Sequence, residues 1–224
     1  MKKLLFSVVA LLLGASANAQ ADVTKFLGIP VDGTKEEMIA KLKEKGFRMA
    51  EYNPNNNILE GEFNGADVNV HIATNKNKVC RIMVCDKNTK SGNSIKTRFN
   101  ILCEQFKNNP NYISLGEDFK IPEDEDVERE ILINKKNYQA IFCQMVDIKS
   151  DWYKQESKKF VDSLYTSEQI EKMNTDELMD LTSKVLFYFL VKKPVWFTIS
   201  EFSGKYYITM FYDNEYNRAN GEDL

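Results

Sequence analysis

The sequence predicts an α+β fold in which two helix-plus-four-strand units share one antiparallel sheet. Three observations carry this. A helix with both ends marked is followed by short strand-like runs separated by Asn and Gly. The same order restarts after residue 90. Several of the runs alternate apolar and polar residues with a period of two, the pattern of a half-buried antiparallel strand. Helices covering one side of a long sheet would bury that apolar face.

Residues 33–47 read as one helix. Thr34 is a good N-cap, Glu37 three residues on completes a capping box, Met38, Ile39 and Leu42 form the apolar stripe, and Gly46 supplies the left-handed stop. Four strands follow at 48–52, 58–63, 67–74 and 78–85. They are separated by Asn55-Asn56-Asn57, Asn64-Gly65 and Asn75-Lys76-Asn77, and Asn-Gly is a strong tight-hairpin signal. Val68, Val70 and Ile72 alternate with Asn69, His71 and Ala73. In the second unit, 94–108 is helical, with Ile95, Phe99, Leu102, Cys103 and Phe106 on one face. Residues 127–133 and 138–148 are expected to form a hairpin around 134–137, and 195–201 and 205–212 another around Ser203-Gly204. Between these hairpins lies a helical insertion, 151–190. Its last helix starts at Asn174 or Thr175 and carries Leu178, Leu181, Val185 and Leu186, with Pro194 barring its continuation. The expected domains are therefore a leader at 1–19, a first helix–sheet unit at 20–90, and a second at 91–224.

The leader has the features of a signal peptide. Lys2 and Lys3 precede an apolar run, Leu4 to Leu13, broken only by Ser7, and Ala17-Asn18-Ala19 provides the small residues for cleavage between Ala19 and Gln20. The run is short for a membrane span, which takes about 20 residues, and no cysteine near the site invites lipid attachment. Removing residues 1–19 leaves 205, with 28 basic residues against 33 acids, a net charge of −5. That balance argues against a nucleic-acid partner. No later stretch has eighteen consecutive apolar residues, so the mature chain is expected to be soluble, without a membrane span, in the periplasm or the medium. Cys80, Cys85, Cys103 and Cys143 form an even set in an exported chain, which invites a disulfide, with Cys103 joined to a strand cysteine as the favoured form. Their positions inside apolar runs favour buried free thiols more strongly.

The segment Phe26-Leu-Gly-Ile-Pro-Val-Asp-Gly-Thr-Lys-Glu-Glu-Met-Ile-Ala-Lys-Leu-Lys-Glu-Lys-Gly-Phe47 resembles the opening of a group of uncharacterised exported proteins from Bacteroidetes bacteria. Residues 63–70, 79–84, 121–125 and the ending 212–224 resemble the same group. The resemblance brings no activity with it. The order of elements over 34–86 and 94–212 is also similar to the β-lactamase inhibitor protein fold, in which tandem helix-plus-four-strand units share a curved sheet. Each unit here has one clear helix where that fold has two, unless Val23 to Leu27 forms a short first one. The insertion is a further departure.

Few residues carry chemistry. His71 is the only histidine, on the polar side of its strand, with no nucleophile elbow or metal-ligand spacing beside it. Glu123-Asp-Glu-Asp126, flanked by Glu117, Asp118, Glu128 and Glu130, is the densest charge run. It lacks the glycine turn and distal glutamate of a calcium loop, so it reads as a solvated acidic loop. No phosphate-binding glycine loop, dinucleotide fingerprint or Cys-x-x-Cys occurs. No metal, cofactor or catalytic residue is therefore expected. The strands of the second unit are apolar or aromatic on both faces. Either the insertion helices cover the second face, or it is an aromatic patch of the kind favoured at protein interfaces. On the latter reading Trp196, Tyr207 and Phe211 are the contact candidates, with His71 and Arg81 extending the surface into the first unit. The function expected is that of a non-catalytic binding protein of the cell envelope. The alternative is an envelope hydrolase acting on glycan or peptide through carboxylates brought together in space.

Overall fold

A computed structural model describes residues 21–51, 58–116, 118–219 and 221. The leader with Ala19 and Gln20, the Asn55–Asn57 separator, Glu117 and the last three residues lie outside the described set. The chain divides into two compact units. One contains Asp147–Leu178, and the other is made of Val23–Val146 with Met179–Leu224.

The larger unit is built on an eight-stranded antiparallel sheet. A small hairpin comes first, β1 (Lys25–Phe26) and β2 (Ile29–Pro30), with Leu27 and Gly28 at positive φ in its turn, so Val23 to Leu27 forms no helix. Helix α1 (Lys35–Glu44) has its capping box: Glu37 N donates to Thr34 Oγ1 (3.2 Å) and Thr34 N donates to Glu37 Oε2 (2.9 Å). It ends where Gly46 takes φ +95°, with Gly46 N bonded to Lys43 O and Phe47 N to Leu42 O, a Schellman stop. The strands β3 (Arg48–Met49), β4 (Leu59–Phe63), β5 (Ala66–Asn75) and β6 (Lys78–Asp86) follow as a meander. Asn64-Gly65 and Lys76-Asn77 both adopt positive φ between directly paired strand ends. These are the two-residue turns whose twist matches that of the strands.

The second half repeats this order. Helix α2 (Gly92–Asn108) is followed by β7 (Tyr112–Ser114), helix α3 (Val127–Leu132) and β8 (Gln139–Gln144). After the insertion come β9 (Pro194–Phe202) and β10 (Lys205–Asp213), joined by a two-residue turn at Ser203-Gly204. The strand order is β3-β4-β5-β6-β10-β9-β8-β7, so the last strands of the two halves meet at the centre.

One element differs from expectation. Residues 127–132 form α3, not a strand, and the fourth strand of the second half is β7. Asp126 decides this locally, because its side chain accepts from Arg129 N (3.1 Å) and caps the helix. Val127 and Ile131, four apart, then share the face that reaches the core. The expected hairpin with 138–148 is accordingly absent, and β8 stops at Gln144.

The core lies between the sheet and helices α1 and α2. Met38 and Leu42 of α1, and Ile95, Phe99 and Leu102 of α2, have no solvent exposure. All five apolar residues expected on one face of α2 are buried. Phe106 stacks on Phe142 (4.8 Å between ring centroids) and on Phe197 (5.6 Å), while Phe99 meets Phe197 edge-on (5.0 Å). The insertion contains α4 (Asp151–Leu164), α5 (Ser167–Glu171) and the first turn of α6 (Thr175–Leu190). Each is capped by a side chain: Ser150, Thr166 and Asn174 respectively. No residue of α4 or α5 is fully buried. Among the described residues no helix is long and apolar enough to cross a membrane.

If Asp126 specifies α3 as a helix, Asp126→Ala should lower unfolding free energy by about 1 kcal/mol in urea melts. The fold should otherwise be retained, with a small loss of helical circular dichroism.

Candidate interaction surface

The face of the sheet away from α1 and α2 is ordered by the strand register. Directly opposed residues run His71–Met83–Phe211–Trp196–Ile141 across β5, β6, β10, β9 and β8. At about 4.8 Å per strand this row is about 19 Å long. All five side chains are half-buried. The Met83–Phe211 pair lies on the seam between the two halves. His71 pairs with Met83 in the first half as Trp196 pairs with Phe211 in the second. The lone histidine thus stands where the second half has its tryptophan.

Trp196 and Phe211 are directly paired and stacked, with ring centroids 3.8 Å apart and planes within 13°. Because the two rings cover each other and the next neighbours in the row are Ile141 and Met83, they present edges rather than open faces outward. Arg81 lies beside the stack, its guanidinium carbon 5.0 Å from the Phe211 ring and 5.6 Å from that of Trp196. Asp213, directly opposite Arg81 on β10, fixes the arrangement. Its carboxylate accepts from Arg81 Nε (2.5 Å) and Nη2 (2.8 Å), and from Trp196 Nε1 (2.9 Å). This fork-on-fork pairing is directional as well as strong. Asp213 is 4% exposed, and these donors satisfy its buried oxygens.

A β-bulge interrupts β6 just before Arg81. The register shifts between Ala73 and Thr74, leaving Cys80 as the extra residue of β6. Val79 and Ile82 both enter the core while Arg81 faces the other way, a re-aiming typical of bulges.

The structure therefore brings together Trp196, Phe211 and Arg81, and adds Asp213, Met83 and Ile141 to them. His71 belongs to the same row two strands from Phe211. Tyr207 lies four residues up β10, about 13 Å from Phe211, opposite Ser200. Asp213 had one signal in the sequence, the period-two spacing 207, 211, 213 that places it on the aromatic face. Its partner across the seam had none. The adjacent row is polar, Asn69–Cys85–Thr209–Thr198–Gln139, and within it Asn69 Oδ1 is buried without a hydrogen-bond partner among the described residues.

The acidic run has structural tasks. Asp126 caps α3, Glu128 Oε1 accepts from Gly92 N (2.8 Å) at the first turn of α2, and Glu125 accepts from both Lys136 and the Tyr138 hydroxyl. Lys96 pins the loop by donating to the carbonyls of Glu123 (2.6 Å) and Glu125 (3.0 Å). Among the described residues no group of three or more His, Cys, Asp and Glu is placed to hold a metal ion.

A groove of about 840 Å³ runs along α2 beside residues 118–123, with Lys96, Asn100, Ile101, Glu104, Lys120 and Glu123 in its walls. Its Glu104 is paired with Lys120, which lowers the carboxyl pKa. The carboxyl groups of Glu60 and Glu125 are likewise held low by Lys87 and Lys136. All four cysteines are free thiols, as their apolar surroundings favoured, and the alternative disulfide from Cys103 to a strand cysteine is not formed. Burial pushes Cys103 and Cys143 up to about 12 and raises Cys80 and Cys85, which keeps them protonated and unreactive near neutrality.

Comparison with family models, curated proteins and solved structures finds no match.

Burial holds His71 below the ordinary imidazole value of 6.5, and the Lys35 charge acts in the same direction. The unfolded chain therefore takes up a proton at a higher pH than the folded one. Stability should fall as pH drops below about 6.5, and His71→Gln should flatten that decline in urea melts between pH 7 and 5.5.

Proposed function

We propose that this protein is an exported, non-catalytic binding protein of the bacterial cell envelope, acting in the periplasm or the medium. It would engage a protein partner through the sheet face away from α1 and α2. The observation that carries this reading is the row from His71 to Ile141, an apolar line crossing both halves of the sheet. Its centre is held rigid by stacking and by the Arg81–Asp213–Trp196 bonds. Aromatic and arginine side chains held in one conformation lose little entropy on binding, which is why they dominate interface energetics. A protein fits this surface better than a sugar does, because a saccharide stacks on an open aromatic face and these rings offer edges.

The alternative, a hydrolase using paired carboxylates, needs one carboxyl with a raised pKa to serve as general acid. The carboxyl groups of Glu60, Glu104 and Glu125 are instead held below the usual carboxylate range by Lys87, Lys120 and Lys136.

The test is recovery of a partner from the organism's own envelope fraction by the tagged mature chain and by Trp196→Ala. Loss of an interface anchor costs about 2 kcal/mol or more, so the variant should recover the partner at least tenfold less well. Its melting temperature should fall less than that of the core variant Phe197→Ala. Equal recovery by Trp196→Ala, or unfolding of that variant, would remove this surface from consideration.

A further inference from the structure

We propose that the sheet face away from α1 and α2 docks against the same face of a second copy of this chain, about a two-fold axis that runs along the β6–β10 seam. This rests on the reading above that the face binds a protein, and it names that protein.

The two halves of the sheet run outward from the seam in matching order, β6-β5-β4-β3 on one side and β10-β9-β8-β7 on the other. An axis parallel to the central strands therefore lays β6 of one copy over β10 of the other, β5 over β9 and β4 over β8. Each row of side chains keeps its height along the strands. Two sheets packed in this way lie about 10 Å apart, with their facing side chains interleaved.

The strand register then decides what meets what. Across the seam Arg81 is opposed to Asp213, Met83 to Phe211 and Cys85 to Thr209. The axis repeats these pairs between copies, so Arg81 falls over Asp213 of the second copy, Met83 over its Phe211 and Cys85 over its Thr209. One strand further out, His71 falls over Trp196 of the second copy and Asn69 over its Thr198. Beyond them Glu60 falls over its Gln139. A guanidinium thus meets a carboxylate, a thioether meets an aromatic ring, and amides meet hydroxyl and carboxylate oxygens.

The charges in these rows are also balanced within one copy. Arg81 is bonded to Asp213, and Glu60 to Arg48 (3.1 Å) and Lys87 (2.6 Å). Burial holds His71 below its ordinary value, so the imidazole is uncharged near neutral pH. A second copy therefore brings no net charge against its like, whereas a strongly acidic or basic partner finds no opposite field to meet. Three rows on six strands make a face of about 24 Å by about 14 Å. That is well under the roughly 800 Å² that each partner buries in a stable complex, so the dimer is a dissociable one.

Sedimentation velocity of the mature chain from about 1 µM to about 200 µM tests this, a range that brackets a dissociation constant in the micromolar decades. The wild type should pass from monomer to dimer. Met83→Glu should raise the dissociation constant at least tenfold, and so should His71→Glu, which leaves the seam untouched. Phe211→Lys alone should also be monomeric, but an equimolar mixture with Met83→Glu should dimerise, because the axis sets the new carboxylate over the new ammonium. Should Phe211→Lys not fold, by its melting curve, the wild type and the two Glu variants decide. A wild type that stays monomeric throughout, or a dimer that survives both Glu variants, would overturn the docking. So would a folded mixture that stays monomeric while the wild type dimerises. In each case a different envelope protein, recovered by the wild type and lost with Trp196→Ala, would leave the binding reading standing. Loss of neither the dimer nor any partner with Trp196→Ala would remove both.

Discussion

Pairing of β6 with β10 joins the two halves of the sheet, and the rest of the larger unit is arranged around that seam. Five residues on each side are in register, Arg81–Cys85 against Thr209–Asp213. On the core side this sets Ile82 and Val84 beside Tyr212 and Met210, making one hydrophobic core from two helix-covered meanders. On the other side it sets Met83 beside Phe211 and Arg81 opposite Asp213. Neither half contains the whole candidate surface. A shift of one residue at the seam would turn every one of these side chains to the opposite face.

The polar groups that surround the seam are matched to the backbone as much as to one another. Asn214 reaches Val31, Asn217 reaches both Asp32 and the carbonyl of Val79, and Asn75 reaches the carbonyl of Asn217. The C-terminal run 213–217 thus works as a clasp on Thr24, Val31, Asp32 and the start of β6. The acidic run at 123–128 has the same character, because Asp126 caps its own helix and Glu128 satisfies a helix N-terminus that lacks a side-chain cap. Ser91 makes no side-chain cap bond at the head of α2, and Glu128 from another element fills that place. Charges that look like a cation site in one dimension serve as caps in three.

Much of the fold was legible because it is encoded locally. The Thr34 capping box, the Gly46 stop, the Asn64-Gly65 and Ser203-Gly204 turns and the apolar face of α2 each depend on residues within a few positions of one another. The errors have the same origin. Val127 to Ile133 is as apolar at spacing four as at spacing two, and the Asp126 cap breaks the tie in favour of the helix. Strand β7 is only three residues long, too short for alternation to show, and it exists because β8 has an edge to pair. The aromatic face of β9 and β10 was readable from period two. The role of Asp213 depended on a residue 132 positions away.

The sequence by itself determined the element order, the two-fold repetition of helix and meander, and which residues of each strand share a face. These follow from turn chemistry and from periodicities of two and 3.6, which act over a few residues. Only the tertiary structure decided that the last strands of the halves pair with each other. It also decided that Arg81 falls opposite Asp213 across the seam, and that Trp196, Phe211, Met83 and His71 fall on one line. Those outcomes depend on strand order and register between distant segments, where the burial of a shared core selects one pairing that no local pattern specifies.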